Sequence, residues 1–205
     1  YLSLEEITRL EFMGKVPPQL RNKLGHLAKA LQGTMVISVN LRLNQIDPIS
    51  AKEFVANLKD TLVETLDLSD NQIRSVGARC VATELKETKL SFLDLSDNQI
   101  GDAGARDFAA NLKDAQLKKV NLSFNEIGPI GAKDFVINLK GTKLKSVNLS
   151  HNEIGPIGAA DFAANLQDTL LGDVSLKNNQ LGDVGARDFA ANLPKDTLLT
   201  SLNLS

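Results

Sequence analysis

Asparagine recurs every 27 residues along most of this chain, at Asn44, Asn71, Asn98, Asn125, Asn152 and Asn179. Two residues after each stands a large aliphatic: Ile46, Ile73, Ile100, Ile127, Ile154 and Leu181. A fixed period of this length marks a repeat architecture. No unit of that size can bury its own apolar face, so the units must stack.

Each unit divides into two hydrophobic patterns. Ahead of the asparagine the apolar residues alternate, as in Leu93 and Leu95, and the pattern recurs as Val39/Leu41, Leu66/Leu68, Val120/Leu122, Val147/Leu149 and Val174/Leu176. A period of two predicts a strand with these residues facing inward. Behind the asparagine the spacing becomes helical, as in Ala105, Phe108 and Leu112, repeated at Ala132/Phe135/Leu139, Ala159/Phe162/Leu166 and Ala186/Phe189/Leu193. Pro48, Pro129 and Pro156 mark a first helical turn, where a missing N–H costs nothing. Asp102 and Asp183 share their column and suit an N-cap or first turn. A glycine column (Gly77, Gly104, Gly131, Gly158, Gly185), with Ser50 in the first copy, predicts close packing at the helix start.

The expectation is an α/β solenoid of about six 27-residue repeats, with parallel strands on a concave face and helices on a convex one. Strands about 4.8 Å apart and helices about 8–10 Å apart bend such a stack into a horseshoe. Each repeated asparagine should sit in the turn leaving its strand, donating and accepting backbone hydrogen bonds at once. Residues 36–205 form the repeats, the last incomplete; residues 1–35 read as a degenerate capping unit. Within that cap, Gln19–Gln32 is expected to be helical, and Ile7, Leu10 and Phe12 to form an atypical strand. Leu199, Leu202 and Leu204 begin a further strand at the other end.

The pattern Leu-x-x-Leu-x-Leu-x-x-Asn-x-Ile, followed by Gly-x-x-Gly-Ala-x-x-Phe-Ala-x-x-Leu, resembles leucine-rich repeats of the ribonuclease-inhibitor type. The near-identical neighbouring copies are also similar to leucine-rich-repeat effectors that intracellular bacteria deliver into host cells. The first resemblance implies the fold; the second implies virulence, a host protein as partner, and the host cytoplasm after secretion as the place of action.

Charge names no partner. Lys plus Arg number 23 against 25 Asp plus Glu, for a net charge of -2, which offers no electrostatic grip on nucleic acid or an anionic membrane. No apolar run approaches the roughly 20 residues of a membrane helix. The single cysteine, Cys80, cannot form an internal disulfide, which points to a reducing, cytoplasmic compartment. Tyr1–Glu6, without an initiator Met or a targeting pattern, reads as an excerpt or a processed piece.

Candidates for chemistry are few. His26 reads as a surface or cap residue, and His151 stands beside a strand end; neither has a second His or a Cys at ligand spacing. Cys80 replaces an acidic residue in an outward helix column and has no histidine in register. Phosphate-binding glycine loops and calcium-loop patterns are missing. The expectation is therefore no catalytic residue, no metal and no cofactor.

Recognition should fall on the strand columns. The first is Ser38, Thr65, Phe92, Lys119, Ser146, Asp173, and the position before each asparagine is Leu43, Asp70, Asp97, Phe124, His151, Asn178. Of eight phenylalanines, five fill the buried helix column and Phe12 lies in the cap, leaving Phe92 and Phe124 as candidate partner contacts. The alternative is that Phe124 packs on the loop ridge and Phe92 on Lys119. Asp67, Asp70, Asp94 and Asp97 crowd two repeats, an arrangement that a basic partner segment, or solvent and salt, could offset. Lys119, His151 and Lys177 make the rest of the face mildly basic. On the helices a basic column (Lys52, Arg79, Arg106, Lys133, Arg187), interrupted at Ala160, runs beside an acidic one and reads as a solvated face.

Together these features predict a noncatalytic protein-binding module working through its concave face. The alternative function is a GTPase-activating protein, because one family of such activators is similar in repeat length and helix pattern, although no catalytic Arg stands apart from the basic column. Nuclease inhibition, also suggested by the resemblance, sits poorly with a single cysteine. A monomer is expected, with dimers through the open C-terminal strand as the alternative.

Overall fold

The computed structural model describes residues 7–205; Tyr1–Glu6, and with them the start of the expected cap, lie outside the described residues. Strands and helices alternate throughout: β1 (Arg9–Glu11), α1 (Leu24–Ala30), β2 (Ser38–Asn40), α2 (Pro48–Ala56), β3 (Thr65–Asp67), α3 (Arg74–Glu84), β4 (Phe92–Asp94), α4 (Gly101–Ala110), β5 (Lys119–Asn121), α5 (Pro129–Ile137), β6 (Ser146–Asn148), α6 (Gly155–Ala164), β7 (Asp173–Ser175), α7 (Gly182–Asn192) and β8 (Ser201–Asn203). All eight strands pair in parallel and in chain order, in one unclosed sheet. From β2 to β7 the register joins residues one repeat apart, as in Phe92 with Lys119 and Asp94 with Asn121.

The alternating residues face inward as the period of two requires: Leu66, Leu68, Leu93, Leu95 and Leu122 are fully buried. Opposite them Phe54, Phe108, Phe135, Phe162 and Phe189 form a continuous buried column, with Val81 in the second copy. Truncating one such phenylalanine should cost about 3–5 kcal/mol. The glycine column sets how close the helices come. A Cβ on Gly158 would lie 2.6 Å from Pro129 Cα, and one on Gly131 would lie 2.6 Å from Asp102 Cα.

Helix starts follow their sequences. Asp47 caps α2, its carboxylate accepting from the N–H groups of Ile49 and Ser50, with Pro48 at the first position. Asp102 and Asp183 lie in the first turns of α4 and α7. Asp102 also reaches the next unit, where its Oδ1 accepts from the Gly128 N–H at 2.6 Å.

The first unit is shorter in helix than its sequence suggests. Pro18–Lys23 is a 3₁₀ helix and only Leu24–Ala30 is α-helical, so the expected helix over Gln19–Gln32 is corrected at both ends. Pro17 and Pro18 remove two donors before the start, and Gly33, with φ 76°, ends the following turn. Of the expected strand residues Ile7, Leu10 and Phe12, only Leu10 lies in β1, yet all three pack against the core. At the other end β8 is exposed along its length, and Leu198 and Leu202 are open to solvent.

Candidate functional site

The repeated asparagines fix the geometry on which any surface site depends. Asn44, Asn98, Asn125 and Asn179 are at most 1% exposed, and Asn71 and Asn152 are also buried. Asn125 is representative. Its Oδ1 accepts from the N–H groups of Asn98 (3.0 Å) and Ile100 (3.3 Å), while its Nδ2 donates to the carbonyls of Leu95 (2.8 Å) and Ser123 (3.1 Å). The amide supplies two donors and a two-lone-pair acceptor on separate atoms, which neither Asp nor Leu could do. Each asparagine thereby ties the turn of its own unit to the unit before it.

Just outside this ladder the backbone does something that the sequence columns did not reveal. Leu43, Asp70, Asp97, Phe124, His151 and Asn178 all adopt the left-handed conformation, with φ between 53° and 59°. Asp and Asn tolerate it, whereas for a side chain such as Leu or Phe it costs about 1–2 kcal/mol. The six side chains therefore leave the sheet in one direction, along a rim at the C-terminal ends of the strands.

Phe124 is the phenylalanine on this rim, with 53% of its surface open. Its ring stacks on His151, centroids 4.1 Å apart and planes 11° from parallel. His151 Nε2 lies 3.1 Å from Asn178 Nδ2, so three successive rim residues support one another. The expected alternative, Phe124 packing on the ridge, is half realised: one face of the ring is covered by His151, yet more than half of the residue faces solvent.

Beside Phe124 the four aspartates meet in a cleft of about 430 Å3 that Arg42 closes at the far side. Two of them are engaged locally. Asp67 Oδ1 accepts from the N–H and hydroxyl of Ser69, and Asp94 Oδ1 does the same with Ser96. Asp94 Oδ2 also accepts from Asn121 Nδ2 at 2.9 Å. The outer two behave as a pair. Asp70 forms an ion pair with Arg42, and Asp97 lines the cleft beside Asp70. Desolvation in the cleft raises the Asp97 carboxyl above its usual value, and the neighbouring Asp70 carboxylate and the charge of Glu126 raise it further against the pull of Arg42. Arg42 was not linked to the acids by the column reading, because it lies one strand over and one residue out of register from Asp70.

Phe92 and Lys119 do not join this cluster. They face each other across β4 and β5 in the first column, and with Ser91 and Lys118 they line a separate shallow basin. The eight predicted contact residues thus form two groups, one at each end of the strands. His26 is exposed on α1, and Cys80 is half-buried on α3.

A family model described as leucine rich repeat matches residues 59–82, 86–109, 116–136 and 142–163. No curated protein sequence matches the chain. Among solved structures, the actin-binding site 2 of leiomodin-1 superposes with a TM-score of 0.55 at 17% identity, covering 70% of this chain and 87% of that one. An internalin from Listeria monocytogenes gives a TM-score of 0.50 at 20% identity, covering 88% of this chain and 50% of that one, so this chain spans half its length. At such identities the likeness is one of fold. The matched repeats, the unbroken parallel sheet and the buried asparagine ladder identify the chain as a leucine-rich-repeat protein.

Proposed function

We propose that this protein is a noncatalytic binding module whose concave rim holds a protein partner, with the Phe124–His151 stack as anchor and the adjoining acidic cleft receiving basic side chains. The observation that carries the reading is Phe124 itself. It occupies a backbone conformation that disfavours it, remains more than half exposed, and forms one wall of a cleft lined by four carboxylates. Aromatic anchors beside desolvated charge are what dominate binding energy at protein interfaces, and a rigid stack of repeats presents them without an ordering cost. Phe92 and Lys119 form a second contact at the other end of the strands. The leiomodin-1 neighbour, named for an actin-binding site, supports protein binding as a use of this fold.

The setting that goes with this reading is a reducing, cytoplasmic one, with a bacterial effector acting on a host protein as its more specific form. Capture from a host-type cell lysate tests it. Wild-type protein should retain a reproducible partner that Phe124→Ala/His151→Ala loses at unchanged circular dichroism, and retention by the variant would reject the rim. Unaltered GTP hydrolysis across a panel of small GTPases is expected; acceleration would favour the GTPase-activating alternative.

A further inference from the structure

The helices carry an exposed aliphatic column that the charge columns conceal in the sequence. Ile49, Val76, Ile130, Ile157 and Val184 stand one repeat apart, and Ala103 fills the remaining place. Each of the five larger residues is more than half exposed, Ile157 at 73% the most. The glycine column follows directly in sequence, so the aliphatic column runs beside the points where neighbouring helices come closest.

On α5 and α6 the column broadens into a patch. Ile137, one heptad beyond Ile130, is also exposed, and on α6 the equivalent place is Ala164. Here too the basic column is interrupted by Ala160. Between the aliphatic ends sits one ion pair, Lys133 to Asp161 at 3.1 Å, with both side chains more than 40% exposed.

We propose that this two-helix face is a self-association surface, and that its occupant is the same face of a second copy. A two-fold axis running parallel to the helices, between α5 and α6, sets α5 of one copy against α6 of the other. Ile130 then meets Ile157, Lys133 meets Asp161, and Ile137 meets the small Ala164, and the symmetry makes every match twice. Charge and size complement each other in this one arrangement. The alternative axis, running across the helices, sets α5 on α5, so that like residues of the central ion pair face each other. An anionic membrane is the less suitable occupant, since Lys133 is already neutralised by Asp161 and the patch has no aromatic residue. With two helices from each copy the contact is smaller than a standard interface, so the dimer is weak and concentration-dependent.

Sedimentation velocity over a concentration series tests this on the chain as it stands. A reversible monomer–dimer equilibrium is expected, weakened about tenfold or more by Ile157→Lys. Because Ile157 is exposed, that variant should keep the wild-type circular dichroism and melting curve. Lys133→Asp should also weaken the dimer, and the charge swap Lys133→Asp/Asp161→Lys should restore it. Leu202→Lys, on the open edge strand, should leave it unchanged. A monomer at every concentration, a dimer lost in Leu202→Lys but kept in Ile157→Lys, or cosedimentation with phosphatidylserine vesicles that Ile157→Lys abolishes would each overturn the proposal.

Discussion

The asparagine ladder and the rim immediately before it occupy adjacent positions in the same six turns, yet they obey different rules. At the ladder the backbone demands two acceptors and two donors inside a dry core, and one residue type answers in every copy. At the rim it demands only a positive φ, and Leu, two Asp, Phe, His and Asn all comply. A hydrogen-bonding requirement fixes identity, whereas a torsional requirement fixes direction and leaves identity free. That freedom is what allows one architecture to display an acidic cleft in two repeats and an aromatic stack in the next two.

The largest effect that this contrast predicts is at the ladder. Asn125→Leu strands the buried N–H groups of Asn98 and Ile100, whereas the Leu95 and Ser123 carbonyls keep their bonds from Asn98 Nδ2 and the Asp97 N–H, and it should cost about 2–6 kcal/mol in chemical denaturation; a loss no larger than that of a surface substitution would remove the ladder's structural role. Next comes the glycine column, where Gly158→Ala forces a Cβ against Pro129 and should cost about 1–3 kcal/mol by the same measurement. At the rim, Phe124→Asn should change stability by no more than about 1 kcal/mol, because relief of the left-handed strain offsets the lost stack, while partner capture falls away. A large destabilisation would instead make Phe124 part of the fold. The smallest effect lies in the acidic cleft. Asp97 has a raised pKa in the folded protein, so it favours the fold below the ordinary value of 3.8 and that contribution is lost as pH rises through the raised value. Asp97→Asn should therefore flatten the stability profile between the ordinary and the raised value and slightly stabilise the protein above it; an unchanged profile would mean that the cleft does not raise the Asp97 carboxyl.

Much of the fold was legible because period and burial coincide. The columns of Phe108, Leu93 and Asn98 each state one requirement in one residue type, and the repetition removes the ambiguity of any single copy. The glycines could be read as close approach, and the structure supplies the neighbour, the first turn of the preceding helix. What escaped was information carried by torsion or by diagonal proximity. Nothing in Phe124 or His151 spells out a positive φ, and Arg42 meets Asp70 only through strand stagger. Thr61, Thr88, Thr142 and Thr169 form a further buried column, each hydroxyl donating to the leucine carbonyl three residues earlier, and were overlooked because a threonine after a helix looks like ordinary loop. The first unit resisted for the opposite reason: with no repeat to average over, Pro17 and Pro18 outweighed an apolar spacing that alone suggested a longer helix.

The ladder also gives the molecule a direction. Asn125 satisfies amides that belong to Asn98 and Ile100, 27 and 25 residues upstream, and not those of the unit that follows. A lesion at one rung should therefore show itself as faster amide exchange in the neighbour toward the N-terminus, so that slackness spreads along the stack one way more readily than the other.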